Sequence, residues 1–474
     1  MQERMQKMIL FLLACAALII GYFIYGKFVE KVFGLSNQPT PAVCKNDGID
    51  YIELPTYKAF LIQFLNIAGL GPVFGAILGA IYGPVSLLWI VIGCIFAGAV
   101  HDYLSGMLSL RNDGKSLTFL MEKYFGSRFR YIFLIILIAM LLMVGAIFAK
   151  SPAQMLSHMT QTPIWFWLSV VFAYYFIATL LPIDKIIGRF YPLFALCLLI
   201  SSLLLTILLF TTDVPTFLNF DLSNHHPNKL PMFPLMFITI ACGAISGFHS
   251  TQSPMIARCV KDEKYARPVF YGAMITEGIV ALMWATLGIC FYENSTALLN
   301  AVQSGGTGGV VAEISKGLLG NIGSILTISS VIILAITTGD TCFRSARLSC
   351  ADFLKVSQDK IVPRLVLTSL VLGGGILLSV INIETIWLYF GWANQTLAMT
   401  TLWLVTIYLY KSQKLYWISL IPAIFMTAVC STYVAYDKLF FNHSICISNY
   451  IGMAIAVLSA VVFFVITKKQ PAQK

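Results

Sequence analysis

Two carboxylates and two imidazoles lie inside apolar runs of this 474-residue chain. A charge placed in hydrocarbon is expensive, so each is a functional candidate by default. Asp102 falls nine residues before Arg111, and Glu277 ten residues after Arg267. At 1.5 Å per helical residue, both sit about 13–15 Å in from the basic end of their spans. They therefore lie at comparable depths. His101 precedes Asp102, and His249 lies in a separate apolar stretch. A buried carboxylate beside an imidazole can carry a proton along with a substrate. His101, Asp102, Glu277 and Asp340 are accordingly the coupling candidates. The plainer alternative is a buried carboxylate hydrogen-bonded to helix ends or hydroxyls. Thr337 and Thr338 offer the hard oxygen ligands a sodium ion needs, or else simply bond their own helix four residues back. Asn394 and Gln395, inside another span, either hold helices together or touch substrate.

Those residues must be positioned by helices, and two of the helices read as broken. Residues 60–80 are long enough to cross a bilayer, yet Gly69, Gly71 and Pro72 interrupt them. Proline removes a backbone donor and glycine favours the unwound chain, so the ladder opens there. In hydrocarbon, an opened turn persists only where protein or a water-filled cavity covers it. A second interrupted stretch, residues 237–254, holds Gly243, Gly247, His249 and Pro254. It lies five spans after the first, and an odd offset makes the two run in opposite directions, as an inverted repeat of five helices requires. Substrate is expected between the breaks, at Asn66, Gly69, Gly71, Pro72, Gly243, Ser246, Gly247, His249, Asn394 and Gln395. Half-helix N-termini there favour a carboxylate.

Composition excludes a soluble globular protein: 58% of residues are hydrophobic, 11% are charged and mean hydropathy is +0.83. The net charge of +10 is strung through loops without a basic domain, so nucleic acid is not the partner; a lipid bilayer and a small molecule are. Eleven cysteines show no CxxC pair or metal-ligand spacing. No cofactor is expected beyond a coupling ion, H+ or Na+. Nor is there a nucleophile, base and orienting group to suggest an enzyme.

Length and hydropathy predict an all-α polytopic membrane protein of thirteen spans. The first is the run from Met8 to Tyr25, too long for a signal peptide and without a cleavage site. The others fall at about 60–80, 84–109, 129–150, 163–182, 190–211, 232–254, 268–292, 322–341, 361–381, 385–410, 416–436 and 448–467. The expected units are 1–59, an extra span and a cytoplasmic loop; 60–211 and 232–410, the two five-helix repeats; and 416–474, two further spans and a tail. With the C-terminus inside, 25 of the 31 lysines and arginines lie on the cytoplasmic side and 6 outside. That partition predicts an outer N-terminus and a cytoplasmic C-terminus. Residues 293–321, with the glycine tract 304–309, read either as a hinge-like tract leading into a short amphipathic outer helix that serves as a lid, or as a flexible loop with a surface helix. The basic stretch after Thr337 reads as lying against anionic headgroups.

The runs IAGLGPVFG, GAVHDYLSGMLSLRNDGKSL, ITIACGAISGFHS, TTGD and FGWANQTLA resemble carbon starvation protein A (CstA) transporters, and PAVCKNDGIDYIELP is similar to that family's loop before the broken helix. The resemblance extends over roughly residues 15–410. It implies a leucine-transporter-like fold of the amino acid-polyamine-organocation superfamily. It also implies proton-linked uptake of peptides or pyruvate in a carbon starvation response. The chain resembles a short form, beginning at what would be the long members' second span, and it has Gln63 where they have histidine. The expected function is a cation-coupled secondary transporter of the bacterial inner membrane. A sodium-coupled amino acid or peptide transporter and a membrane nutrient sensor are the alternatives.

Overall fold

The computed structural model describes residues 2–46, 51–178, 183–212, 221–356 and 361–469. The expected tail beyond residue 469, the middle of the loop before residue 51 and the end of span 163–182 lie outside them.

Among the described residues the protein is all-helical; the nearest thing to a sheet is one isolated bridge between Leu54 and Val260. In order come α1 (Gln2–Phe33), α2 (Pro41–Cys44), α3 (Thr56–Ile67), α4 (Gly71–Ala80), α5 (Val85–Gly93) and α6 (Ala99–Leu110), the last two joined through a π-helical turn, Cys94–Gly98. Next are α7 (Leu117–Phe125), α8 (Ser127–Thr160), α9 (Ile164–Ala178), α10 (Ile183–Thr211), α11 (Met232–Thr239) and α12 (His249–Ala257). A second π turn, Arg267–Tyr271, leads into α13 (Gly272–Phe291), followed by α14 (Ser295–Leu354), α15 (Ile361–Val380), α16 (Ile383–Lys411), α17 (Trp417–Tyr436) and α18 (Ile445–Lys469).

Eight helices among the described residues are long and apolar enough to cross a membrane, nine if α3 and α4 count as one span. Thirteen were expected over the whole chain, and for one window the difference has a physical origin. Hydropathy counts an apolar window whether or not its backbone stays helical. The 232–254 window is here two short helices on either side of an irregular stretch, whereas 163–182 runs past the described residues. The chain is a multi-pass membrane protein. Its outermost helices turn large apolar side chains outward, such as Leu13 and Ile24 on α1 and Val457 on α18, where lipid replaces water as the favourable neighbour. The centre is formed by α4, α6, α12 and α13, and all twelve residues of α6 are buried.

Two local expectations are corrected. The tract 304–309 is not an extended loop: successive helical pieces from Ser295 to Leu354 meet at non-helical joints at Gly306 (φ 66°) and Gly320 (φ 67°), conformations that glycine adopts cheaply, so the tract is hinge-like and leads into a short helix. The arginines of the basic stretch after Thr337 do not lie at the surface, although its later residues Leu354 and Lys355 do. Arg344 and Arg347 are 8% and 5% exposed. Arg344 donates to the Asp340 carboxylate and to the Ala178 carbonyl, both at 3.1 Å, because a guanidinium within the bundle must find acceptors there.

At the basic end of the bundle, Arg111 ties four segments together. Its guanidinium donates to both Glu263 oxygens at 2.9 Å, to the Gly34 carbonyl at 2.6 Å and to the Tyr408 hydroxyl at 3.4 Å. It also covers the Phe33 ring, 4.4 Å from its centroid. Lys414 donates to the Phe33 carbonyl beside it. This fork-and-stack arrangement suits arginine's planar donors and holds the ends of α1, α6 and α16 against the loop before α13.

Candidate functional site

The first break separates α3 from α4 by a 50° bend. Glycine at 69 and 71 lets the ladder lapse, and Pro72 sits at the start of α4, where a missing N–H costs nothing. In the second break α11 ends at Thr239, α12 begins at His249, and residues 240–248 between them are irregular. The carbonyls freed there have partners. Trp387 Nε1 donates to Thr239 O and Trp89 Nε1 to Ile240 O, each at 3.3 Å, and Gln395 Nε2 donates to Phe237 O at 3.0 Å. These bonds answer the requirement that unwound backbone in a membrane be covered by protein.

The two breaks touch. A Cβ on Gly71 would run into the side chain of Cys242, and one on Gly243, whose φ is +89°, would run into Ala281. Gly247 packs on the backbone of Asn394 and Ala398. The Asn394 side-chain oxygen accepts the Phe248 N–H at 2.8 Å, and its amide pairs with Ser246 Oγ at 3.1 Å. Asn394 and Gln395 thus both bond the second break from α16.

The buried charges converge on the same point. Asp102 Oδ1 lies 2.7 Å from His101 Nδ1, and Asp102 Oδ2 lies 2.9 Å from His249 Nδ1. On its far side, His249 Nε2 lies 3.3 Å from Glu277 Oε2. The other Glu277 oxygen accepts the Gly243 N–H at 3.1 Å. Every side chain in this row is 0% exposed. Asp102 on α6 and Glu277 on α13 thus meet across His249, the first residue of α12, and the row ends on the backbone of the break itself. Two carboxylates out of water are tolerable only with compensating donors and positive charge. As imidazolium, His249 supplies both; as neutral imidazole, it can donate to one carboxylate alone.

The remaining candidates lie apart from this row. Asp340 is taken up by the ion pair with Arg344 one turn along its own helix. Thr337 Oγ1 donates to Ile333 O at 2.9 Å and Thr338 Oγ1 to Leu334 O at 2.8 Å, the bonding of a hydroxyl to its own helix. Thr338 nevertheless faces the first break, its hydroxyl oxygen 3.4 Å from where a Cβ on Gly69 would sit. Asn66 is half-buried in the last turn of α3. Sequence reasoning did not single out Cys242. Its thiol, His249 and Glu277 present ligand atoms within 4.8 Å of one another. The only signal in the sequence was its place immediately before Gly243. Gln63, which stands where the long CstA members that the chain resembles have histidine, is fully buried with neither side-chain polar atom hydrogen-bonded.

The family described as carbon starvation protein CstA matches residues 6–165, 150–316 and 303–433, most of the chain. The chain belongs to the CstA family. Among CstA relatives, an uncharacterized membrane protein of Haemophilus influenzae is 43% identical over 352 residues, which is 63% of this chain and 95% of that one. The peptide transporter CstA of Escherichia coli is 25% identical, with 89% of this chain and 80% of the relative aligned. The pyruvate/proton symporter BtsT of the same organism is 27% identical over 56% of this chain, and the match spans only 46% of its length. Two solved structures share the fold. A mutant of the Eremococcus coleocola manganese transporter superposes with TM-score 0.59 at 13% identity, covering 88% of this chain and 97% of that one. A nucleobase-cation-symport-1 family transporter in a closed conformation gives TM-score 0.54 at 13% identity, covering 88% and 94%. Named CstA relatives and both of these structures are transporters, and nothing in the comparison points to an enzyme.

Proposed function

We propose that this CstA-family protein is a secondary transporter of the bacterial inner membrane that imports a small carboxylate-bearing nutrient, a peptide or pyruvate, together with a proton. The observation that carries the reading is the buried row Asp102–His249–Glu277 ending on the Gly243 N–H. It joins α6 and α13 to a broken helix, so a cation that compensates the carboxylates and a substrate seated at the break would feel one another directly. Differential binding of that kind is what couples two solutes. The naming of one relative as a pyruvate/proton symporter supports the proton. The substrate would sit against Asn66, Gly69, Gly71 and Pro72 on one side and Gly243, Ser246, Gly247 and His249 on the other, with Asn394 and Gln395 holding the second break in place. Half-helix N-termini at α4 and α12 supply amides for a carboxylate.

Two features support a five-plus-five inverted repeat formed by residues 60–211 and 232–410. Each proposed repeat opens on a broken helix, and each then carries its buried carboxylate on the next helix, just beyond a π turn, at Cys94–Gly98 and at Arg267–Tyr271. Single π turns inside helices recur at functional sites. Sodium is the second reading, favoured by the Thr338 hydroxyl beside Gly69. Uptake of labelled pyruvate and labelled dipeptide into proteoliposomes, with proton and sodium gradients imposed separately, decides among these. Accumulation driven by the proton gradient is expected. Binding without uptake would leave a nutrient sensor.

The same reading sets the orientation. Twenty-five of the 31 basic residues fall on one side, so the N-terminus should face out and the C-terminus in. In intact cells, with the exposed Cys44 and Cys446 replaced, an impermeant maleimide should label Gln2→Cys and spare Ala472→Cys. The reverse pattern would overturn the assignment.

A further inference from the structure

Cys242, His249 and Glu277 come from the second break, from the start of α12 and from the middle of α13, and all three are fully or almost fully buried. Their thiol, imidazole and carboxylate atoms lie within 4.8 Å of one another. His249 Nε2 and Glu277 Oε2 face one another at 3.3 Å, close enough to pair but without the alignment of a hydrogen bond. The Cys242 thiol contacts Ser246 Oγ at 3.6 Å and also meets the His249 ring. Three groups of different donor type thus face one point inside the bundle, where a single bound ion would contact all of them at once.

We propose that these three side chains form a binding site for a borderline divalent transition-metal ion of the zinc class. The donor set of one sulfur, one nitrogen and one oxygen selects that class over magnesium or calcium, which take oxygen alone. Bonds of about 2.0–2.3 Å hold ligands some 3–4 Å apart, so small side-chain rotations close the observed spacing. The surroundings are already arranged for it. Asp102 Oδ2 accepts from His249 Nδ1 at 2.9 Å, which fixes the ring and leaves Nε2 facing the other two ligands. This is the carboxylate–histidine–metal arrangement that orients histidine ligands. Glu277 is oriented in turn by the Gly243 N–H at 3.1 Å. On binding, the Cys242 thiol gives up its proton to solvent and the thiolate takes the metal. An ion held there ties the second break to α13 and occupies the place of the co-transported cation, so it arrests transport.

The test uses the purified, metal-free full chain in detergent, titrated with cobalt(II) alone and checked for monodispersity. One equivalent should produce a thiolate-to-cobalt charge-transfer band, which zinc then displaces. Cys242→Ser should lose the band, whereas Cys94→Ser, altering a neighbouring buried cysteine, should keep it. Asp102→Asn should weaken cobalt affinity about 10–100-fold while the band keeps its position. Wild-type protein that shows no such band, or a band that survives in Cys242→Ser, would overturn the site. The readout is binding, so it stands or falls independently of what the protein transports.

Discussion

Gly71→Leu should reduce uptake by roughly 100-fold or more, equivalent to about 3 kcal/mol on the rate-limiting step, while the protein still inserts and purifies as a monodisperse species. Gly71 is where the first break meets the second: a Cβ there already collides with Cys242, and a leucine side chain would extend past it into the space beside Pro72 and Gly243. Overpacking of this kind typically costs 1–3 kcal/mol of stability, which a bundle with this much buried surface can absorb. Movement of one break against the other cannot absorb it. Gly71→Ala should be impaired for the same reason to a smaller degree, and adding Cys242→Gly to it should restore part of the loss by removing the colliding atoms. Normal uptake kinetics in Gly71→Leu would reduce the break to a packing kink.

Asp102→Asn should end accumulation of substrate against a gradient and leave exchange down a gradient intact. Asp102 accepts from two imidazoles, at 2.7 and 2.9 Å, within a site with no exposure to solvent. Asparagine keeps the volume and one acceptor oxygen but removes the negative charge that makes a cation welcome beside His249. Without that charge, entry of the cation no longer lowers the energy of the substrate-loaded state, and the two fluxes separate. Loss of exchange together with poor expression would instead assign Asp102 a structural hydrogen-bonding role. Unchanged accumulation would remove it from the coupling path and leave Glu277 and His249 to carry it.

Much of the site was legible before the fold. Gly69, Gly71 and Pro72, and then Gly243 and Gly247, marked both breaks because glycine and proline act locally, on the backbone that holds them. The equal depths of Asp102 and Glu277 followed from helical rise, and the structure joins them through His249. Other features depend on partners far away in sequence. Nothing near Cys242 signals that it packs on Gly71 and faces Glu277. Trp89 and Trp387 read as ordinary apolar residues until their indoles are seen to hold the carbonyls of the second break. Arg344 looked like a headgroup contact because its own neighbourhood is basic, and only the Ala178 carbonyl and the inward turn of Asp340 explain its burial. The glycines at 304–309 allowed a hinge or a loop, and the structure has helix on both sides of a non-helical joint at Gly306. Among the described residues the span count differs from the expected thirteen partly because hydropathy does not report helix continuity, as the irregular middle of 232–254 illustrates.

The central claim, that substrate and proton cross together through the Asp102–His249–Glu277 row, is tested most directly by watching the proton. Proteoliposomes containing a pH-sensitive dye and no imposed ion gradient are given an inward gradient of the substrate that supports uptake. The account predicts that the interior acidifies as substrate enters, and that Asp102→Asn admits substrate without acidification. Substrate entry into wild-type vesicles with no change in internal pH would contradict it.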